Sequence, residues 1–163
     1  MLKGWCRQGD SNTRPTHYEL KSRNRENAIV FFNLHHPPVS DYQEHGDASH
    51  NARPNEVALA AMLKRYQSRS SARFVVTAGH VHNYERFTQD GTIYLVSGGG
   101  GAKPRPIIRT TQDLYQSKEF PNYNYVKFVV DGNRLKATMI RLTDVNARMP
   151  AWEQKDRFEC GPK

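Results

Sequence analysis

Three short apolar runs, each halted by proline or glycine, decide most of what this chain is able to form. Ala28–Leu34 reads AIVFFNL and runs into His-His-Pro-Pro. Arg73–Ala78 reads RFVVTA and meets Gly79, and Thr92–Ser97 reads TIYLVS and meets the glycine run Gly98–Gly101. Runs this short, rich in branched and aromatic residues, suit buried strands rather than core helices. Between the first two, Asn55–Gln67 is built from good helix formers, with Pro54 at its start and basic residues late, as a helix dipole prefers. An Asp90-Gly91 turn leads into the third run. Further on, Asn124–Val130 and Arg134–Leu142 flank Asp131-Gly132-Asn133, which predicts a hairpin. A strand, a helix and then mostly strands define an α/β or mixed α+β arrangement, and no internal repeat is present. The 163 residues suffice for about one domain with its own core.

Composition removes several classes. No apolar run approaches the roughly 18 residues a membrane helix needs, so no helical membrane span is expected. Met1–Asp10 lacks the apolar stretch of a secretory signal, and localisation is left unassigned. Two cysteines, Cys6 and Cys160, are too few for a disulfide scaffold or a thiolate metal site. The formal net charge of +8 invites a nucleic-acid partner. Its distribution argues against one: residues 1–27, 28–82 and 83–163 carry +3, +1 and +4, with acidic residues interspersed and no block of like charge. No nucleic-acid or membrane partner is expected.

The histidines are uneven. Six of seven, His35, His36, His45, His50, His80 and His82, fall between positions 35 and 82, at strand ends and adjoining loops. A rigid sheet holds such side chains towards one cleft. If residues 80–82 are extended, His80 and His82 share a face. His35 and His36 then point to opposite sides, so at most one of them reaches the same centre. His17 and His50 read as ordinary hydrogen-bonded histidines. The glycine run lacks the Lys-Ser/Thr ending of a phosphate loop and reads as a tight turn.

Gly79-His80-Val81-His82-Asn83-Tyr84-Glu85-Arg86 resembles the GHVHxYER segment of calcineurin-like metallophosphoesterases, most closely the purple-acid-phosphatase-like branch. Leu34-His35-His36-Pro37-Pro38 resembles the upstream HxP metal segment of that family, and Tyr94–Ser97 with Gly98–Gly101 resembles the strand and glycines that follow. The likeness covers about Ala28–Leu142. It implies a hydrolase acting on phosphate mono- or diesters through two metal ions, Fe, Zn or Mn. By position, His35 and His80 would bind one metal and His82 the other, and His45 would contact phosphate oxygens or protonate the leaving group. Two cations in such a site hold the phosphoryl oxygens and neutralise developing charge.

The family's Gly-Asp-x-x-Asp/Tyr and Gly-Asn-His-Glu/Asp segments have no counterpart here: Gly9-Asp10 follows no strand, and Gly-Asn-His does not occur. Three neutral imidazoles leave two dications uncompensated. The expectation is therefore the C-terminal half of a metallophosphoesterase-type β-sandwich flanked by helices, whose partner is the missing N-terminal half. Residues 1–27 read as an irregular tail, resembling the start of mis-started bacterial reading frames; 28–145 hold the domain portion and 146–163 a C-terminal tail. A non-catalytic remnant and a basic binding module are the alternatives.

Overall fold

Ile29–Leu34 forms strand β1, in which successive side chains go to opposite faces, so one face needs a helix and the other a second sheet. The computed structural model, which describes residues 27–42 and 53–162, supplies both. Helix α1 spans Pro54–Gln67, and strands follow as β2 (Arg73–Ala78), β3 (Tyr84–Gln89), β4 (Thr92–Ser97), β5 (Asn124–Asp131), β6 (Arg134–Leu142) and β7 (Trp152–Cys160). One sheet has the order β1-β2-β4-β3, and the other β5-β6-β7. Val30, Phe32 and Leu34 pack with Phe74, Val76 and Tyr94 beneath Leu59, Ala60 and Leu63 of α1. Ile29, Phe31, Val75 and Leu95 turn the other way, onto Val126, Phe128, Leu135, Met139 and Phe158 of the second sheet. The layers run helix, sheet, sheet, a mixed α+β architecture.

Helix α1 begins as its sequence suggests. Pro54 occupies the first turn, where a missing N–H costs nothing, while Glu56 lies in the first turn and Lys64 and Arg65 in the last. Its last residue ties it to the sheet. The buried Gln67 amide donates to the Ala72 carbonyl at 2.7 Å and accepts from the Phe74 N–H at 2.8 Å. No helix among the described residues is long and apolar enough to cross a membrane.

The β1–β2 and β2–β4 pairs are parallel, with Leu34 opposite Ala78 and Ala78 opposite Val96. Parallel pairing in this register brings the C-terminal ends of three strands to one edge. His35, Gly79 and Gly98 are therefore neighbours at that edge, with the Gly79 N–H donating to the His35 carbonyl at 3.1 Å. The β3–β4 hairpin turns at Asp90 and Gly91, whose φ angles of 51° and 78° suit the tight turns that match strand twist. The β5–β6 hairpin turns at Gly132-Asn133, inside the predicted span.

Two readings of the sequence change. Tyr84–Gln89 is a strand, although its polar residues concealed it: Glu85 is fully buried beside Tyr84 and Phe87. The segment read as a C-terminal tail carries β7, whose sequence WEQKDRFEC has little apolar content. That strand is held by pairing along β6, with a bulge at Lys155, and by the Asp156 carboxylate. Asp156 receives two hydrogen bonds from the Arg86 guanidinium at 2.7 and 3.0 Å and one from the Tyr84 hydroxyl at 2.9 Å. One helix covers the sheets among the described residues, within the mixed α+β class expected.

Candidate metal centre

The edge where β1 and β2 end gathers three imidazoles. His35 and His36 follow β1 directly, and His80 follows β2 after a single glycine. One ring nitrogen from each lies within 4.8 Å of the other two. The ring centroids are 4.6 Å apart for His35–His36, 5.0 Å for His35–His80 and 4.0 Å for His36–His80. Nδ1 of His80 and Nε2 of His35 are separated by 3.1 Å.

Local backbone explains why adjacent histidines converge. The strand stops at Leu34, and Pro37 and Pro38 are buried immediately beyond, so the alternation of an extended chain ends before His35. His80 has φ of 61°, a left-handed conformation that costs a non-glycine residue about 1–3 kcal/mol. The Val81 N–H donates to the Gly79 carbonyl and the Asn83 N–H to the Val81 carbonyl, each at 2.7 Å, so residues 79–83 form successive tight bends. The expectation that His80 and His82 share one face of an extended segment does not apply to this geometry.

His82 stands outside the group of three. Its Nδ1 lies 2.9 Å from the Lys103 carbonyl. A carbonyl only accepts, so Nδ1 is the donor in this contact, and in the neutral tautomer that leaves Nε2 as the atom open to a ligand. Asn83 steadies this segment: its side-chain oxygen accepts from the Tyr84 N–H and Asn122 at 2.8 Å and from Arg109 at 3.2 Å, and its amide donates to the Arg105 carbonyl at 2.5 Å. His45, His17, His50 and Cys6 lie outside the described residues.

The glycine run is explained by packing. A Cβ on Gly98 would sit 2.0 Å from the Val81 carbonyl oxygen, and one on Gly99 would sit 2.5 Å from the Asn122 carbonyl oxygen. These two glycines let the loop after β4 touch the histidine-bearing bends and the start of β5.

A second group, Asp41, Glu85 and Asp113, brings three carboxylates within 4.8 Å of one another. Its oxygens already have partners. Glu85 accepts from the Ser40 hydroxyl at 2.8 Å and the Asp41 N–H at 2.6 Å. Asp113 accepts from the Arg86 and Tyr115 N–H groups at 3.0 and 2.9 Å and is paired with Arg109. Asp41 accepts from the Thr110 N–H at 2.6 Å. Burial pushes the Glu85 carboxyl up to about 7 against the pull of its two donors, with Asp113 and Asp41 adding to the rise. Burial also raises Asp113, although Arg109 and two backbone donors oppose it.

The donor set decides what the edge is able to hold. Tetrahedral zinc with bonds of about 2.0–2.1 Å places its nitrogens about 3.3–3.4 Å apart, so three imidazoles at the observed spacing fit one cation after small ring movements. Among the described residues no carboxylate joins the three imidazoles, since Asp41, Glu85 and Asp113 face one another and their own donors. Sequence reasoning passed over His36 because it assumed an extended chain, although the Pro-Pro that follows was a signal against that. It also passed over Glu85, whose place amid Tyr84 and Phe87 was the available sign of a buried charge. Two cavities, of about 430 and 320 Å³, lie at the β6–β7 end and beside residues 106–120, and no histidine lines either.

No known family's sequence model matches the chain. No curated protein matches it. Among solved structures, a single-mutant Vps29 from Entamoeba histolytica is similar at 15% identity with a TM-score of 0.37, over 65% of this chain and 47% of that one. The chain thus spans about half the length of that protein.

Proposed function

We propose that this chain binds a divalent cation through His35, His36 and His80 and serves the metal-dependent hydrolysis of phosphate esters. The convergence of three imidazoles at one edge of a parallel sheet carries the reading. The order of the Leu34–Pro38 and Gly79–Arg86 segments supports the metallophosphoesterase assignment, and the longer segment favours the purple-acid-phosphatase-like branch. A bound cation there supplies Lewis-acid polarisation of a phosphoryl oxygen. The chain's own part is to hold that cation; His82, whose Nδ1 faces the Lys103 carbonyl, is a further ligand by resemblance. His45 remains, by resemblance, the candidate for protonating the leaving group.

One observation favours a second reading, metal binding without turnover: the described donor set is neutral, and the three nearby carboxylates are engaged by N–H, hydroxyl and guanidinium groups. Hydrolysis of p-nitrophenyl phosphate with added Mn, Zn or Fe separates the two. Metal-dependent turnover that falls at least tenfold in His80→Ala and His82→Ala supports hydrolysis. Metal uptake with background turnover supports the binding-only reading, and equal rates in all three proteins remove the histidines from the chemistry.

A further inference from the structure

The chain leaves the imidazole centre through Pro37-Pro38-Val39 and reaches Ser40 and Asp41, four and five residues after His36. Both are gripped from β3. Glu85 is fully buried, its Oε2 accepts from the Ser40 hydroxyl at 2.8 Å, and its Oε1 accepts from the Asp41 N–H at 2.6 Å. Ser40 Oγ also accepts from the Tyr42 N–H at 3.0 Å, which closes the turn around the carboxylate. The Asp41 side chain continues outward to the Thr110 N–H at 2.6 Å and hydroxyl at 2.9 Å. Thus His36 is bounded on one side by β1, which is paired along its length with β2, and on the other by a carboxylate clasp.

We propose that Glu85 is a positioning residue for the imidazole centre: by clasping Ser40 and Asp41 it fixes the Pro37-Pro38 turn and so holds His35 and His36 against His80. Pro37 and Pro38 are buried and their φ angles are locked by their rings, so the position of Ser40 is transmitted to His36 with little slack. The choice of a buried carboxylate fits the task. Its two oxygens meet a hydroxyl and an N–H at once, which fixes both Ser40 and Asp41 from a single side chain. Asp41 and Asp113 crowd the same carboxyl group, and Asp113 is paired with Arg109, so the clasp operates inside a charged brace that links β3 to the loops carrying Asp41 and Asp113. Keeping three carboxylates together costs stability, and positional control of the turn is the return that the geometry offers.

The inference rests on the metal reading only for its consequence, and the test separates them. Nuclear Overhauser contacts between the His36 and His80 rings, with their imidazole nitrogen shifts, are to be recorded for the metal-free chain and for Glu85→Ala, Glu85→Gln and Ser40→Ala. Circular dichroism checks that each variant is folded. The contact is expected in the parent, lost in Glu85→Ala, weakened in Ser40→Ala and restored in Glu85→Gln, whose amide accepts from Asp41 and donates to Ser40. Co²⁺ titration of the same samples should show affinity lowered about tenfold in Glu85→Ala and within about threefold of the parent in Glu85→Gln. Parent-like ring contacts and shifts in folded Glu85→Ala overturn the proposal. Should that variant not fold, parent-like contacts in Ser40→Ala overturn it instead. A parent that shows the ring pattern and its loss in the variants, but takes up no Co²⁺, leaves the positioning role standing and removes the metal reading.

Discussion

At the residue scale, the molecule concentrates its unusual chemistry in a few side chains whose surroundings decide their state. Glu85 is the clearest. Its carboxyl is raised from an ordinary 4.5 to about 7 by burial, so the folded chain holds a proton that the unfolded chain releases. Stability from this group is fullest below pH about 4.5 and is lost as pH rises to about 7. Urea unfolding at pH 5 and pH 8 should therefore show the parent losing about 2 kcal/mol more than Glu85→Gln across that interval. Equal slopes in the two proteins would mean that Glu85 is ionised without cost. Among the histidines, His80 and His35 are identifiable from their strand-end positions. His36 is not, because its direction depends on where β1 stops, and that boundary is set by Pro37-Pro38 and by the clasp on Ser40 rather than by local propensity.

At the element scale, local sequence exposed β1, β2 and β4 as apolar runs, α1 as a stretch of helix formers behind Pro54, and β5 and β6 as the arms of a turn. It did not expose β3 or β7. Both are stabilised by polar pairing that no window of sequence reveals: Glu85 with Ser40 and Asp41, and Arg86 and Tyr84 with Asp156, 70 and 72 residues away. The glycine run after β4 shows the same dependence on distant contacts. Gly98→Ala drives a Cβ to 2.0 Å from the Val81 carbonyl oxygen, whereas Gly100→Ala meets nothing within 4 Å. Overlap with backbone displaces the bends that carry His80, at a cost of about 1–3 kcal/mol or more. Gly98→Ala is expected to melt several degrees lower than the parent and Gly100→Ala to melt close to it. The same melting temperature for both substitutions would contradict the packing role of Gly98.

At the scale of the whole molecule, the strand order β1-β2-β4-β3 explains why the three imidazoles meet at one edge. Parallel pairing of β1, β2 and β4 stacks three C-terminal strand ends, and open α/β sheets place ligands at such ends. The helix on one face and the β5-β6-β7 sheet on the other bury both sides of these strands, leaving the edge for chemistry. The strands β1, β2 and β4 were legible from the sequence because burial on two faces writes short continuous apolar runs. Whether acidic groups face the imidazoles or one another was not, because it depends on contacts between distant segments. Asp41, Glu85 and Asp113 face one another and their own donors.

On the proposed reading, the three described imidazoles would take one cation rather than two. The direct measurement is the number of Zn²⁺ ions bound per chain at equilibrium dialysis near pH 7.5, for the parent and for His35→Ala, His36→Ala and His80→Ala. Close to one Zn²⁺ per chain in the parent is expected, with affinity at least tenfold weaker in each of the three variants, since every ligand lost removes a bond to the metal. Two Zn²⁺ per parent chain, or one bound equally well after all three substitutions, would contradict the three-imidazole centre.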